Sequence, residues 1–333
     1  MSDPRLRRRR TPLVVAAAWL LVVLAVEFAA VLGIERLPVL AGLVGPRTAA
    51  TVALVVLGVV LLVAGGLIAR FRLALILLAA ASLLGAACSV PVMLARGWSD
   101  DRPAAAQAGS LRVLSWNINF NLVSPDTVAR LAAREHADIV VLPEIPALDA
   151  DNRYVPAFAA AGMPVRSYPA LSDYPAETFV LVRKDIGSYS ATVGHSSDPD
   201  RSTALTPVTA GLPTIVAIHA AQPSLRDNPQ WRSDLTWVEQ RCTNPNTIAV
   251  GDFNATLDSF GADHLGGCTD GAARRHSASV GTWPTRLPAW AGMPLDHVLT
   301  GTGWTTLSFT IIRSEDGSGA RHRPILAVVA PAR

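Results

Sequence analysis

Three long apolar runs, at about Leu13–Ile34, Thr48–Ala69 and Leu73–Leu94, limit what this chain can fold into more than any other feature. A helix of roughly 20 apolar residues spans a hydrocarbon core of about 30 Å, so each run predicts one membrane crossing. The hydrophobic fraction of 50% and the mean hydropathy of +0.32 come almost wholly from residues before position 96; the remainder has the composition of an ordinary globular protein. Glu27 is the one charge inside the first run. A carboxylate there is costly in lipid, so it is expected to face another helix or to be protonated. A secretory signal is the competing reading of the first run. The apolar core exceeds a typical signal core, and two more spans follow, which favours an uncleaved helix.

Orientation follows from basic residues. Arg5, Arg7, Arg8, Arg9 and Arg10 precede the first span, and Arg70-Phe71-Arg72 separates the second from the third. Both clusters belong in the cytoplasm. Three crossings then place everything after residue 95 outside, in a multi-pass cell-membrane protein with its lipid bilayer as an obligatory partner. The loop Glu35–Arg47, also outside, carries two arginines and one glutamate, a mild objection. The expected organisation is a basic cytoplasmic N-terminus (1–12), three transmembrane helices (13–95), a flexible Ala/Asp/Gly/Pro-rich tether (96–110) and a globular domain (111–333). With the arginine run set aside as a topology signal, the net charge of +3 demands no nucleic-acid partner.

From Leu111 onward, short β-like runs alternate with turns and amphipathic helices. Strands are expected at Leu111–Trp116, Asp138–Leu142, Thr178–Val182, Thr214–His219, Thr247–Gly251, Asp296–Leu299, Thr305–Ile312 and Pro324–Val329, and helices at Ser124–His136, Tyr154–Ala161 and Pro229–Arg241. Ser124 is the expected N-cap, with Pro125 at the first helical position. Strands outnumber helices, and the helices fall between them. The fold class is therefore α/β: a four-layer sandwich of two packed mixed sheets flanked by helices, preceded by the all-α three-helix transmembrane region. Of three cysteines, Cys88 lies in an apolar run. Cys242 and Cys268 lie in the globular part, where an oxidising compartment would allow a disulfide and a reducing one would leave two buried thiols.

Polar residues cluster where apolar strands meet loops: Asn117 and Asn119 in WNIN, Glu144 in LPE, His219, Asp252 and Asn254 in GDFN, Asp296 in LDHVL, and His322 in HRP. Each alone reads as a turn former or a surface group. Together, carboxylates, amides and imidazoles meeting at one end of a sandwich suit phosphoryl transfer, in which a hard divalent cation takes oxygen ligands.

The order of these segments resembles the endonuclease/exonuclease/phosphatase (DNase I-like) family over about Leu111–Val329. The resemblance implies metal-dependent hydrolysis of phosphodiester or phosphomonoester bonds, with Mg2+, or else Mn2+ or Ca2+, as cofactor. It implies a nucleic acid or a phospholipid headgroup as substrate, and no protein partner. By the same resemblance Glu144, Asn117 and Asn119 hold metal, and Asp252 orients or deprotonates water. Asn254 and His219 contact phosphate, and Asp296 fixes His322. Glu177 either braces His219 or is a solvated carboxylate. Trp283 either lines the pocket or packs under its loop. Where the family has Asp before the last histidine, this chain has Arg321. Arg321 either contacts substrate phosphate or marks a weakened member that serves as a binding module. His297 is expected on the face opposite Asp296. His195, His264 and His276 sit in loop-like contexts, and His136 at a helix C-terminus.

Overall fold

The computed structural model describes residues 4–99, 103–105, 107–146, 149–169, 177–191, 201–224, 229–261 and 265–332, with side chains from residue 13 onward and excluding those of 150 and 177. The N-terminal part holds α1 (Pro4–Glu27), α2 (Ala29–Leu32), α3 (Pro38–Val44), α4 (Arg47–Leu67) and α5 (Arg72–Arg96). Among the described residues, two helical stretches, Arg47–Leu67 and Ala69–Arg96, are long and apolar enough to cross a membrane; the apolar part of α1, Leu13–Glu27, is shorter. The run expected to continue to Ile34 breaks after Glu27 and ends at Gly33, whose φ of +67° favours glycine.

Two six-stranded mixed sheets follow. The first has the order β11 (Trp304–Ile311), β12 (Ile325–Pro331), β1 (Leu111–Ser115), β2 (Ile139–Ile145), β4 (Glu177–Arg183) and β3 (Val165–Pro169). The second has β5 (Tyr189–Ala191), β6 (Thr203–Pro207), β7 (Thr214–His219), β8 (Thr247–Asp252), β10 (Asp296–Thr300) and β9 (Thr269–Asp270). Successive strand residues face opposite sides. Val113, Ile139 and Val141 thus meet Ile215, Ala217, Ile248 and Val250 between the sheets. Leu114, Val140 and Leu142 face outward under α6 (Pro125–Arg134) and α7 (Val155–Ala160). On the far side, Val216, Ile218 and Ala249 pack under α8 (Pro229–Arg241). The α6 residues Val128, Ala129, Leu131 and Ala132 form one buried stripe. Ser124 caps α6 by accepting from the Thr127 N–H at 3.3 Å. Cys242, just past α8, is bonded to Cys268, just before β9, with Cα atoms 5.2 Å apart.

The described part of 96–110 is not a loose tether. Ala278 and Ser279 donate main-chain N–H groups to the Arg96 and Gly97 carbonyls at 3.1 and 3.0 Å, and Ser99 donates to His276 O at 2.7 Å. Farther on, Ala104 N–H donates to Ser308 Oγ at 2.8 Å. Satisfied backbone groups, rather than linker composition, decide this segment.

Ion pairs lock the helices to the sandwich. Asp258, in a 3-10 turn at Leu257–Ser259, accepts from Arg47 of α4 at 2.7 and 3.1 Å and from Arg96 of α5 at 2.6 and 2.9 Å. Burial alone would push the Asp258 carboxyl up, but the two guanidiniums more than offset it and hold it below its usual range. Arg47 also donates to Glu27 at 2.7 Å and Ser89 at 3.0 Å, so Glu27 does face its neighbouring helices. Arg36 pairs with Glu239 of α8. The two arginines that counted against an outside loop are thus each matched to a carboxylate of the sandwich.

Candidate active site

Strand direction explains why distant segments meet. β1 and β2 run parallel, as do β7 and β8, so Asn117, Glu144, His219 and Asp252 all lie at or just beyond strand C-termini. β10 and β12 run antiparallel to β8 and β1, so Asp296 and His322 lie at or just before strand N-termini at the same end. His219, Asp252 and Asp296 are direct register partners across β7, β8 and β10. At Gly251 a Cβ would lie 2.0 Å from Ile218 O, and φ is +142°, so only glycine lets β8 approach β7 here.

Glu144 sits at φ +60° where β2 slips register against β4 between Leu142 and Ile145. A left-handed conformation is costly for a residue with a Cβ, and the bulge turns its carboxylate into the cleft. Asn119 Nδ2 donates to Glu144 Oε2 at 2.7 Å, Asn117 Nδ2 to Oε1 at 3.1 Å, and His219 Nε2 lies 3.3 Å from Oε1. Burial alone would raise the Glu144 carboxyl; His219, Asn119 and Asn117 more than offset it and lower it to about 2. Asn117 Nδ2 also donates to Asp252 Oδ2 at 2.9 Å, joining the two carboxylates.

His322 Nδ1 lies 2.9 Å from Asp296 Oδ2, and its Nε2 lies 3.6 Å from Asp252 Oδ2. Trp116 Nε1 anchors the His322 carbonyl at 2.9 Å, and Thr282 Oγ1 accepts from the Leu295 and Asp296 N–H groups. Burial would lower the His322 imidazole, but Asp296 and Asp252 outweigh it and push it up to about 9. Asp252 is raised, first by burial and then by Asp296, against the opposing pull of His322. A buried carboxylate with raised basicity beside a cationic imidazole can accept a proton and stabilise an anion.

Other expected residues fall around this centre. Asn254 donates its main-chain N–H to Asp252 Oδ1 at 2.9 Å, and one of its two side-chain N–H bonds goes to Ala220 O at 2.9 Å. Trp283 lines the cleft with its ring 6.5 Å from that of His322. Arg321 lines it with an exposed guanidinium that no described residue holds. Glu177 opens β4 opposite Ile145, and its side chain lies outside the described residues. His219 Nδ1, buried, has no hydrogen-bond partner among the described residues. His297 does face away, lying between Asp270 Oδ2 and Ala255 O at 2.9 Å each. His276 holds Ala95 O at 3.2 Å. His195 and His264 lie outside the described residues.

Sequence reasoning missed several groups. Arg201, Gln222, Phe120 and Met293 line the cleft, as do Ala41, Gly42 and Gly45 from the α3 segment. Arg323, inside the HRP motif, is buried. It pairs with Asp316 and donates to the Gly281, Thr285 and Leu287 carbonyls, which holds the Trp283 loop.

The cleft encloses about 420 Å³. Two carboxylates, Glu144 and Asp252, line it, and Asp296 Oδ1 is buried with no hydrogen-bond partner among the described residues. Asp252, Asp296 and His322 offer ligand atoms within 4.8 Å of one another. An oxygen-rich donor set of this kind fits a hard divalent cation. Because His322 Nδ1 and Asp296 Oδ2 already bind each other, Glu144 is the better-placed carboxylate for it.

Residues 114–318 match the Endonuclease/Exonuclease/phosphatase family. The chain belongs to that family. Solved structures share its fold. A truncated TDP2 from Caenorhabditis elegans is 19% identical with a TM-score of 0.51, covering 67% of this chain and 98% of that one. An AP endonuclease from Archaeoglobus fulgidus is 14% identical with a TM-score of 0.51, covering 65% and 98%. A family protein from Bacteroides thetaiotaomicron is 11% identical with a TM-score of 0.50, covering 70% and 100%. No curated protein matches the sequence. Family membership carries phosphoester hydrolysis as the general chemistry of the fold.

Proposed function

We propose that this protein is a metal-dependent phosphoester hydrolase fixed to a membrane by its N-terminal helices. The observation that carries the chemistry is the convergence of Glu144, His219, Asp252 and His322 from the ends of four strands on one cleft, with Asp296 of a fifth bound to His322 Nδ1 at 2.9 Å. Glu144, with Asn117 and Asn119, would hold a divalent cation, Mg2+ in this reading, which would supply positive charge to a phosphate oxygen.

The chain's own residues do the rest. Asp252 orients a water and accepts its proton. Asp296 keeps the proton on His322 Nδ1, so that Nε2–H faces the phosphate as a cationic donor. Arg321 adds positive charge to the cleft wall, and His219 offers an imidazole to the phosphate oxygens. Asn254 braces Asp252 and keeps one N–H for substrate. An arginine in place of the usual carboxylate before His322 thus strengthens phosphate binding, at the expense of one metal ligand.

Membrane placement rests on an agreement between sequence and packing. The Glu27–Arg47–Ser89 cluster puts one end of α1, α4 and α5 together, against the sandwich. The arginines at 5–10 and at Arg70 and Arg72 then belong to the opposite end, the side that retains positive charge. In this reading the sandwich lies outside the cytoplasm, a compartment with which the Cys242–Cys268 bond is compatible.

The test is hydrolysis of bis(p-nitrophenyl) phosphate by purified full-length protein after EDTA treatment and after return of Mg2+, Mn2+ or Ca2+. Turnover that disappears with EDTA and returns with metal supports the reading. Phosphate-ester binding without turnover under every metal supports a binding module instead.

A further inference from the structure

Two cavities lie along neighbouring stretches of the same chain segments. Gly45 and Met293 both line the polar cleft. A second, open hollow, about 450 Å³ and almost wholly apolar in lining, runs along α4 past Ala49, Val52, Ala53, Val56, Leu57 and Val60 and is bordered by Trp290. Gly45 precedes Ala49 by one helical turn, and Trp290 precedes Met293 by three residues. The same two chain segments therefore border both cavities.

Their contact is close. A Cβ on Gly45 would lie 2.7 Å from Met293 Sδ. Ala41 of α3 is buried in the cluster that holds Trp231, Phe253 and Phe260 of the sandwich. The pairing of Asp258 with Arg47 and Arg96 fixes this junction.

The dimensions match a bilayer. From Ala49 to Val60 the groove extends about 16 Å at the rise of an α-helix, close to half of a hydrocarbon core of about 30 Å. Its walls are exposed: Val52 at 44%, Val56 at 57% and Val60 at 57%, with Trp290 at 50%. Tryptophan is favoured where apolar core meets headgroups.

We infer that the groove between α4 and Trp290 is an acyl-chain subsite beside the catalytic cleft, and that the substrate is a phosphodiester carried by a lipid of the bilayer in which α4 sits. This rests on the hydrolase reading above and narrows it. The phosphate lies in the cleft at Glu144, Asp252 and His322, while one chain descends along α4. Hydrolysis forms one P–O bond to the water oxygen and breaks one P–O ester bond. One water proton passes to Asp252, the leaving alkoxide takes a proton from the cleft, and the second water proton stays on the new P–OH until it exchanges with solvent. A soluble polynucleotide has no use for an apolar groove one leaflet deep.

The experiment uses full-length protein reconstituted with Mg2+ in vesicles of phosphatidylethanolamine and phosphatidylglycerol bearing radiolabelled headgroups. Release of soluble headgroup, free or phosphorylated, is compared with turnover of the deacylated glycerophosphodiesters, a DNA oligonucleotide and bis(p-nitrophenyl) phosphate. The expected result is a kcat/KM for the bilayer lipid more than tenfold above that for its deacylated form. Val56→Trp, which fills the groove, should cut that ratio more than tenfold. Trp290→Ala should cut it in the same direction. Leu62→Trp, on α4 outside the groove, should leave it in place. Equal rates for acylated and deacylated substrates, preference for DNA, or equal effects of Val56→Trp and Leu62→Trp would overturn the inference while leaving the hydrolase reading intact. Failure to turn over bis(p-nitrophenyl) phosphate as well would remove both.

Discussion

Asp252 and Asp296 stand opposite one another in register across β8 and β10, and the imidazole of His322 lies against both carboxylates, 2.9 Å from Asp296 and 3.6 Å from Asp252. Two buried carboxylates at neighbouring positions repel, and the arrangement holds because a cation lies between them. The Asp–His–Asp unit is therefore an electrostatic whole, and its members are expected to act together.

Substituting Asp296→Asn removes the charge that keeps His322 cationic without changing side-chain volume. Turnover should fall on the order of 10²–10⁴-fold, with most of the loss in kcat rather than KM, because the imidazole itself remains. Steady-state kinetics on a generic phosphodiester measures the split. A loss confined to KM would place Asp296 in substrate binding instead.

The Glu144→Gln variant keeps the hydrogen-bonding shape and removes the charge that a cation needs. Mn2+ affinity should weaken by at least about tenfold, the scale seen when even a supporting group of a metal site is lost. Calorimetric titration of the EDTA-treated protein reads this without reference to activity. Unchanged affinity would move the metal onto Asp252, Asp296 and His322.

The His322 imidazole is raised in the folded protein to about 9 from an ordinary value near 6.5. A group with a raised folded value stabilises the native state in full below its unfolded value, and the contribution disappears as pH climbs through the folded value. In EDTA, the Tm advantage of wild type over His322→Asn should be greatest below about pH 6.5 and should shrink steadily toward about pH 9. Thermal melts across that range check it; an advantage that grows with pH would mean the imidazole is neutral.

The Cys242–Cys268 bond closes a loop with a sequence separation of 26 residues. By loop-closure entropy it contributes about 3 kcal/mol. Reduction, or the double change C242S/C268S, should lower the Tm of the sandwich by several degrees. An unaltered melt would show that burial of the two sulfurs, rather than the bond, holds α8 to β9.

Much of the site was legible because the strands that carry it are apolar runs ending abruptly in a polar residue. Ile215–His219 and Ile248–Asp252 are of this kind, and both strands are buried on both faces. Edge strands were not legible. β5 has three residues and β9 has two, and β6, Thr203–Pro207, lacks a clear alternation. Their pairing depends on neighbours rather than on propensity. In sequence the seven-residue α3 reads as plain loop, since a helix so short forms only when tertiary packing holds it. That packing, Ala41 against the sandwich and Gly45 against Met293, is what joins the helices to the cleft. Arg47 reads in sequence only as a basic residue of the loop before the second span, and nothing in sequence pairs it with Asp258. Arg323 belonged to a recognised motif, yet its work of holding the Trp283 loop is visible only through its carbonyl partners.

The central claim is tested most directly by comparing wild type with Asp252→Asn, both saturated with Mn2+, in the hydrolysis of bis(p-nitrophenyl) phosphate. The variant keeps the shape and the Asn117 contact but cannot take a proton from water. Wild type should turn over, and the variant should be slower by roughly 10³-fold or more while binding Mn2+ nearly as well. A variant that hydrolyses the ester at close to the wild-type rate would contradict the assignment of this cleft as the reacting centre.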